Sequence, residues 1–392
     1  LDLLPVGQLE PLALPGESYT LAFTPELLQH VYTRRRKDQP DEPLLPSDPD
    51  QLRKLLGGTG ADAGGYEEID GNWWIPSGRV FYSDEPGHTP AEEKAVAEQH
   101  FHLPCRYQDL FHQDTIVDYD GPADPALPRY DLLVTRTKDA LDNTVTAAND
   151  YRVLQPKLVT DANRNRTTAA FDALGLVVAT AVMGKDGDNL GDRLEGFNPD
   201  PSLAELQQFV ADPRGRAASL LGKATTRIVY DLDRFTRVRD PDQPECDNQP
   251  PFAATLARET HVHEQGEAPT KIQIGFTYSD GFGREIQKKI QAEPGKAPQR
   301  KDPIALASGD TCPGALLHDA LGGLVYPDEG DPPQPRWVGT GRTVYNNKGN
   351  PVRQYEPFFS ATHLYEPEPD MTDTGVSPVL FYDPLERVIA TV

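Results

Sequence analysis

Hydrophobic and polar residues alternate along much of the chain, most regularly in KIQIGFTYSDGFGREIQKKIQAE at residues 271–293. Neighbouring side chains of a β-strand point to opposite faces, so this spacing predicts a strand with one apolar face. Residues 280–283 then supply glycine and aspartate for a turn, and residues 284–291 predict the returning strand. The apolar face of the first strand would carry Ile272, Ile274, Phe276 and Tyr278.

A second hairpin is predicted in GRTVYNNKGNPVRQYEP, residues 341–357, with its turn at Asn347 to Gly349. Other stretches carry helix-start signals, namely Ser or Thr caps, proline at the first helical position, or a glutamate three residues after the cap. The predicted helices begin near Thr24, Ser47, Thr89 and Ser202.

The order of the elements divides the chain into two parts. Residues 1–104 mix short strands with short helices, whereas residues 105–392 follow a strand–turn–strand pattern. Loop insertions rich in Pro, Gly and Asp, one with a helical start, are expected near 184–222, 239–268 and 293–335. The fold class is therefore predicted to be mainly β, an antiparallel β-hairpin array with a few short helical inserts.

The predicted turns resemble one another, which indicates an internal repeat. An aromatic or small residue precedes Asp or Asn, glycine often stands three residues later, and Arg or Asn often follows. Asp or Asn can accept a hydrogen bond from the backbone two residues on, and glycine permits a positive φ. The residues assigned to this repeat are Asp139, Asn143, Asp161, Phe171, Asp172, Gly175, Tyr230, Asp231, Asp280, Gly283, Arg284, Tyr345, Asn346, Gly349, Tyr382, Asp383 and Arg387.

Each position of the repeat has an expected role. The aromatic residue would end one strand and pack against the sheet below it, and arginine would begin the return strand. Two copies have Asp142 or Glu386 where glycine is expected, which we expect to weaken the turn without changing the fold. The copy after Tyr230 is shortened, and the irregular spacing indicates that insertions interrupt the array.

Composition and charge restrict the function classes. The 392 residues carry a net charge of -23, and so acidic a chain repels phosphate backbones, so nucleic acid is not an expected partner. The 38 prolines and 32 glycines favour many short elements joined by turns. No apolar run reaches the length of a membrane span, so this segment is not expected to insert into a membrane.

The cysteines and the two ends give further expectations. Cys105, Cys246 and Cys312 lie far apart and do not indicate a disulfide framework. The chain begins with Leu1 and stops inside what resembles a strand, so we expect it to be a piece of a longer polypeptide.

Several polar clusters could hold a metal, and each has a simpler interpretation. His261 and His263 could bind zinc if a third ligand joined them, or be ordinary polar residues. The group His100, His102 and Cys105 leaves the same two interpretations open. Residues 186–192 resemble a calcium loop but lack EF-hand spacing, so an acidic turn is favoured.

Catalytic motifs are absent from the sequence. It contains no G-x-S-x-G, P-loop or dinucleotide-binding glycine pattern, and choosing one carboxylate pair in so acidic a chain would be arbitrary. No catalytic, cofactor-binding or metal-binding residue is assigned, and an enzyme is not expected.

Longer segments resemble a known family. YDPLERVIATV, residues 382–392, is similar to the tyrosine–aspartate (YD) repeat of Rhs proteins. Residues 130–185, with LAFTPELL, NWWIPSGRVFY and FHQDTIVDYD, resemble the C-terminal half of the B component of bacterial insecticidal toxin complexes, the Tc toxins. The resemblance runs nearly end to end and is strongest over 101–190 and 270–292.

The resemblance implies a structural role. In that family the B component and the repeat-bearing part of the C component form a hollow β shell around the unfolded cytotoxic part of the C component. A propeller of the B component docks on the pore-forming A component. This chain would be shell wall, without propeller, self-cleavage motif or cargo. Its expected partners are the rest of its own chain, the C-type component with its cargo and, indirectly, the A-type component; its expected location is outside the bacterium.

Two other functions stay open at the level of sequence. A YD-repeat cell-surface adhesin or glycan-binding module would use the same hairpins to contact glycans or neighbouring cells. A glycosidase on a β scaffold would need a concave site with perturbed carboxylates, which a sequence does not reveal.

Overall fold

The computed structural model describes most of the chain, in two compact units, Leu1–Asn163 and Arg164–Val392. The division lies well beyond residue 104, where the sequence suggested a change of character. The described residues are 3–5, 8–10, 14–37, 40–58, 64–122, 129–239, 242–243, 246–247, 249–264, 270–375 and 377–392.

The first unit is built around one antiparallel sheet. Its strands are β1 Glu17–Phe23, β2 Thr33–Arg34, β3 Glu42–Pro43, β4 Glu67–Ile69, β5 Asn72–Phe81, β6 Arg106–Gln108, β7 Asp114–Tyr119, β8 Val134–Lys138, β9 Thr144–Asp150 and β10 Gln155–Thr160. The sheet order is β1-β5-β6-β7-β8-β9-β10, with β4 also paired to β5, while β2 and β3 form a separate pair. Sequential strands are thus spatial neighbours from β5 to β10.

The helices described in this unit are α1 Pro25–His30, α2 Pro49–Leu56 and α3 Pro90–Gln99. Two of these three helices, α1 and α3, begin where their caps predicted. Thr24 and Thr89 accept hydrogen bonds from the first turns of α1 and α3, and Thr89 forms the expected capping box with Glu92. The cap of α2 is Asp48 rather than Ser47, because proline at residue 49 occupies the first helical position.

Apolar burial in the first unit is confined to its early part. Among the described residues of this unit, the buried hydrophobic ones are Leu56, Trp73, Tyr82 and Ala97. All residues of the fully described strands β7 to β10 are half-buried or exposed, so this part of the sheet contributes no fully buried side chain to a core.

The second unit contains the larger core. Its strands are β11 Arg166–Phe171, β12 Val177–Met183, β13 Thr226–Asp231, β14 Phe252–Arg258, β15 Ile272–Ser279, β16 Glu285–Gly295, β17 Ile304–Ala305, β18 Thr311–Cys312, β19 Gln334–Gly339, β20 Thr343–Tyr345, β21 Pro351–Gln354, β22 Phe358–Ser360, β23 Leu380–Tyr382 and β24 Val388–Thr391. Its helices are α4 Leu203–Ala211, α5 Pro213–Leu221, α6 Arg234–Arg237 and α7 Pro369–Thr372.

An antiparallel sheet in the order β11-β12-β13-β14-β15-β16-β19-β22 carries this core. Ile274, Phe276 and Tyr278 are buried on one face of β15, as the alternating pattern predicted, and β15 pairs with β16. The insertion near 184–222 contains α4 and α5, which bury Phe209 and Leu221 against the sheet. The predicted mainly β class is confirmed.

The remaining predicted insertions are more ordered than expected. Residues 293–335 include the β17–β18 pair, and Cys246 forms a disulfide with Cys312 of β18. The cysteine spacing did not indicate this disulfide, because the fold brings together two cysteines that lie 66 residues apart in sequence. Cys105 is the free thiol. Part of 239–268 lies outside the described residues.

No helix among the described residues is long and apolar enough to cross a membrane.

The second unit buries a histidine among aromatic side chains. The ring of His363 lies 4.8 Å from that of Phe276 and 5.4 Å from that of Trp337, centroid to centroid, and burial lowers the pKa of His363 to about 3. The unfolded chain binds this proton near pH 6.5, whereas the folded chain does not until near 3, so protons favour unfolding within that window.

We therefore expect the free energy of unfolding to decrease as pH is lowered from about 6.5 to about 4, with a shallower decrease in His363→Phe. Urea unfolding at several pH values measures this, with His30→Gln, a change at an exposed residue, as the matched control. Equal pH slopes in His363→Phe and the parent chain would contradict the buried neutral histidine.

Candidate functional site: turns at the hairpin ends

The turn between β15 and β16 shows how the repeat works. The Asp280 Oδ1 atom accepts hydrogen bonds from the N–H groups of Phe282 (2.8 Å) and Arg284 (3.0 Å). The Gly283 N–H donates to the Asp280 carbonyl, and the Asp280 N–H donates to the Arg284 carbonyl. Gly283 has a φ of 77°. Five residues therefore close the turn, with Asp280 first and Gly283 fourth.

The same four bonds recur at other assigned copies. They begin at Asp139, Asp172, Asn346 and Asp383. The fifth side chain often adds a bond to the first: Arg284 and Arg387 donate from Nε to Asp280 and Asp383, each at 2.7 Å. Asn143 donates from Nδ2 to Asp139 at 2.9 Å, and this bond is the main reason that the pKa of Asp139 is lowered.

The fourth position has a positive φ whether or not it is glycine. Gly175 and Gly349 have φ values of 86° and 85°. Asp142 and Glu386 adopt φ values of 63° and 68°, so both turns keep their geometry despite the missing glycine. In the copy that starts at Asp161, the fourth residue, Arg164, likewise has a φ of 68°.

Two further turns of this kind were missed from the sequence. Asp109 and Asp319 make the same four bonds, with His112 and Gly322 at the fourth position. Neither turn follows Phe, Tyr or Trp, and His112 does not signal a positive φ. Asp followed three residues later by Gly, as in HDALGG, could have identified the turn at Asp319.

The shortened copy after Tyr230 does not form such a turn. Asp231 ends β13, and its buried carboxylate accepts two hydrogen bonds from Arg237 Nη2, at 2.7 and 2.9 Å. Helix α6 follows at once, and its Arg234 lies 3.6 Å from the same carboxylate. Two arginines, rather than two backbone N–H groups, are the partners of this aspartate, and helix α6 stands where the other copies have a turn.

Three tyrosines that precede a repeat aspartate or asparagine donate their hydroxyls to backbone carbonyls at equivalent positions of another turn. The Tyr230 hydroxyl donates to the Val177 carbonyl (3.1 Å), that of Tyr345 to Glu285 (2.9 Å) and that of Tyr382 to Pro351 (2.7 Å). Each acceptor is the sixth residue of a turn, counted from Asp172, Asp280 and Asn346 respectively. We call these bonds the tyrosine links, and each joins one hairpin to another.

Strand register explains why the sixth residue is the acceptor. In the second unit, four hairpins carry this turn between two paired strands. In each of them the residue before the turn pairs with the sixth residue of the turn, and a β-bulge lies directly beside that pair. The pairs are Phe171↔Val177, Ser279↔Glu285, Tyr345↔Pro351 and Tyr382↔Val388. The aromatic residue was expected to pack on the sheet, and Phe171 is indeed buried, whereas the tyrosines act through their hydroxyls.

Both histidines of the candidate zinc site make hydrogen bonds within the fold. Residues 262–264 form a 3₁₀ turn. Nδ1 of His261 contacts Asp192 at 2.8 Å, and Nδ1 of His263 accepts the Gly191 N–H at 2.8 Å. Burial tends to raise the pKa of Asp192, but hydrogen bonds from Thr225, Val262 and His261 hold it below its usual value.

The other candidate clusters are dispersed. His100 Nδ1 contacts Asp131 at 2.7 Å, and burial raises the pKa of the Cys105 thiol to about 11. In the acidic segment, Asp186 pairs with Arg166 while Asp192 is buried. Among the described residues, no group of three or more His, Cys, Asp or Glu side chains is placed to hold a metal ion.

The fold is similar to that of solved toxin structures. No protein-family model and no curated protein matches the chain. A chain of the TcdB2-TccC3-Cdc42 crystal structure matches 95% of this chain and 17% of its own length, with 20% identity and a TM-score of 0.55. A chain of the TcdB2-TccC3 crystal structure matches 83% and 13%, with 22% identity and a TM-score of 0.53.

A chain of a Photorhabdus luminescens Tc holotoxin pore matches 89% of this chain and 16% of its own length, with 21% identity and a TM-score of 0.53. This chain therefore spans less than one fifth of each of these solved chains. At this identity the similarity is one of fold.

Glycine at the fourth turn position should stabilise the two turns that lack it. We expect Asp142→Gly and Glu386→Gly each to raise the free energy of unfolding by about 1 kcal/mol, since a side chain is strained at positive φ. Gly283→Ala, the reverse change, should lower it by a similar amount. Denaturant unfolding measures the free energies of all three variants. If Glu386→Gly lowered the free energy of unfolding, a strained positive φ at Glu386 would be contradicted.

Removing one tyrosine link should weaken the second unit. We expect Tyr345→Phe to lower the free energy of unfolding by about 1 kcal/mol, because the Glu285 carbonyl loses a hydrogen bond. Tyr326→Phe, at an exposed tyrosine, is the matched control and should change little. Equal stability of the two variants would show that the link contributes nothing.

Proposed function

We propose that this chain is a non-catalytic structural segment of the B component of a Tc-type toxin. In this role it helps to form the β shell that encloses the cytotoxic part of a C component before delivery into host cells. The similarity in fold to chains of TcdB2-TccC3 structures, over 83–95% of this chain, is the observation that carries the proposal.

The arrangement of hairpins supports a role as wall. In each unit, sheet strands that follow one another along the chain are largely neighbours, and the tyrosine links join hairpins of the second unit. Strands that pair edge to edge extend a sheet without leaving free edges between them.

Exposed apolar side chains at the turn tips support contact with partners. The third turn residue is large and hydrophobic in six turns, and 73–96% of it is exposed. These residues are Phe111, Leu141, Leu174, Phe282, Leu321 and Leu385. Turn geometry does not require an apolar residue there, so burial against another surface explains their recurrence better.

The partners in this proposal are the rest of the protein, a C-type component with its unfolded cargo and, indirectly, an A-type pore component. The protein would act outside the bacterium. The disulfide between Cys246 and Cys312 supports this location, because disulfides persist in oxidising compartments.

Co-expression tests the proposal. The protein that carries this chain is produced with a C-type component, purified through a tag, and examined by electron microscopy and limited proteolysis. We expect a closed hollow particle in which the C-terminal part of the C-type component resists protease. A variant with Tyr230, Tyr345 and Tyr382 all changed to Phe should form fewer closed particles than Tyr326→Phe.

A solid particle with no affinity for the C-type component would contradict the proposal. Binding of that same particle to glycans or cell surfaces would instead favour an adhesin.

A further inference from the structure

The second unit contains a pocket with a net positive lining. The pocket has a volume of about 280 Å³ and lies between the loop that precedes α4 and the C-terminal end of α5. Arg193, Lys223 and Arg227 line it, together with Glu195 and Glu205. Positive charge gathered in one pocket is unexpected in a chain whose net charge is -23, so the pocket calls for a physical explanation.

Arg227 of β13 is the buried member of this lining, with 2% of its surface exposed. Three arginines are buried among the described residues, and the other two, Arg106 and Arg234, each pair with an aspartate. Arg227 forms no ion pair within the described chain. Burial lowers the pKa of Arg227, and the more distant Glu205 and Asp200 oppose this shift without reversing it. Its charge is therefore left without a direct partner.

One edge of the Arg227 guanidinium is unused. Its Nη1 atom donates to the carbonyls of Asn198 (2.9 Å) and Leu220 (3.1 Å), and both residues line the pocket. Nε is buried without a hydrogen-bond partner, and the described residues supply none to Nη2. These two atoms share the edge that fits the two oxygens of a carboxylate. Arg342 uses that edge on Asp373, from Nε at 2.8 Å and from Nη2 at 2.5 Å.

Two further cations stand at the mouth of the pocket. The Arg193 N–H donates to the Lys223 carbonyl at 2.9 Å, so these two residues lie side by side. Lys223 is exposed, and 34% of the Arg193 side chain is exposed. Both charges can therefore attract an anion from solvent towards the buried guanidinium.

The charges of the lining favour a ligand with a single negative charge. The two carboxylates have other contacts: Glu205 accepts the Ser202 N–H at 2.8 Å in the cap of α4, and Glu195 lies 3.9 Å from Arg193. Three positive and two negative side chains leave one positive charge over. One carboxylate neutralises it, whereas a phosphate group, with a charge of about -1.5 to -2, would exceed it.

We propose that this pocket binds a carboxylate group, which enters past Arg193 and Lys223 and accepts hydrogen bonds from Nε and Nη2 of Arg227. Because Nε is covered in the free chain, the paired contact requires a small shift of the lining. Phe197, whose ring centre lies 4.5 Å from the Arg227 guanidinium, and Leu220 offer apolar surface to the carbon chain of the ligand.

The carboxylate can belong to a free small organic acid or to an acidic side chain of a peptide segment. Every lining residue belongs to the second unit, so the pocket does not depend on the proposed shell role. Absence of a hollow particle would thus leave this proposal standing, and absence of binding would leave the shell role standing.

Calorimetric titration of the full chain with two matched probes tests the proposal. The α-amide of N-acetylglutamate carries a side-chain carboxylate, and the α-amide of N-acetylglutamine has nearly the same shape without the charge. We expect saturable binding of the glutamate probe at millimolar concentration, weakened by added salt, and no binding of the glutamine probe. Shifted arginine Nε–H resonances in the bound chain report the contact independently.

Chain variants locate the contact. The double variant Arg193→Gln, Lys223→Gln should weaken binding roughly tenfold and leave the free energy of unfolding nearly unchanged, because both charges lie at the surface. Lys296→Gln with Lys301→Gln, at two exposed lysines outside the pocket, removes the same net charge and should leave the affinity unchanged.

Arg227→Lys keeps the charge but loses the paired donors, so it should abolish binding of the glutamate probe. Denaturant unfolding checks that this buried variant folds. If it does not fold, the two probes and the double variant at the mouth still decide the proposal.

Propionate distinguishes the two sources of the carboxylate. Equal affinity for propionate and the glutamate probe indicates a small organic acid, and roughly tenfold tighter binding of the glutamate probe indicates an acidic peptide segment. Three results would overturn the proposal: equal binding of the two matched probes, no saturation at about 100 mM, or tighter binding of inorganic phosphate than of either carboxylate. Unchanged affinity in the double variant would also overturn it.

Discussion

A side-chain oxygen that accepts two backbone N–H groups is the interaction on which the hairpins depend. It closes a five-residue turn, places the fourth residue at positive φ, and shifts the register so that the residue before the turn pairs with the sixth. Asn346 makes the same two bonds with its amide oxygen, so the turn requires an acceptor and not a charge. Because the register is fixed, the sixth carbonyl is available at a reproducible place, and a tyrosine of another hairpin can reach it. The local turn thereby determines how hairpins join.

Buried charges hold the irregular segments of the second unit to its sheet. Lys289 of β16 and Arg300 both contact the fully buried carboxylate of Glu366, and Arg300 donates to it at 3.0 Å. Arg237 connects Asp231 at the end of β13 with Asp310, at 2.7 and 2.9 Å. Buried ion pairs add little net stability, but removing one partner leaves an uncompensated charge that costs about 3–5 kcal/mol. These networks therefore fix where the segments around Asp310 and Glu366 lie against the sheet, although those segments carry few apolar side chains.

Local signals in the sequence predicted local structure well. Caps and capping boxes identified the starts of α1, α3 and α4, and alternation identified the β15–β16 hairpin, because each depends on residues close together in the chain. The turn at Asp109 was missed because positive φ at His112 leaves no mark in the sequence. The disulfide and the tyrosine links could not be predicted, since their partners are brought together only by folding. Tyr345 and Glu285 lie 60 residues apart. Asp231 was assigned to a repeat turn, but it bonds Arg237 instead. Arg237 also bonds Asp310, which is distant in sequence, so this network could not be predicted either.

Strands β7 to β10 of the first unit show how a sheet without fully buried side chains is held together. Strands β7 to β10 have no fully buried residue, so face-to-face packing within the unit contributes little there. Their order is held along the hydrogen-bonding direction, with cross-strand pairs such as Asp118 with Arg136 and Arg106 with Asp114 adding to it. A sheet of this kind gains stability from additional strands rather than from a second layer.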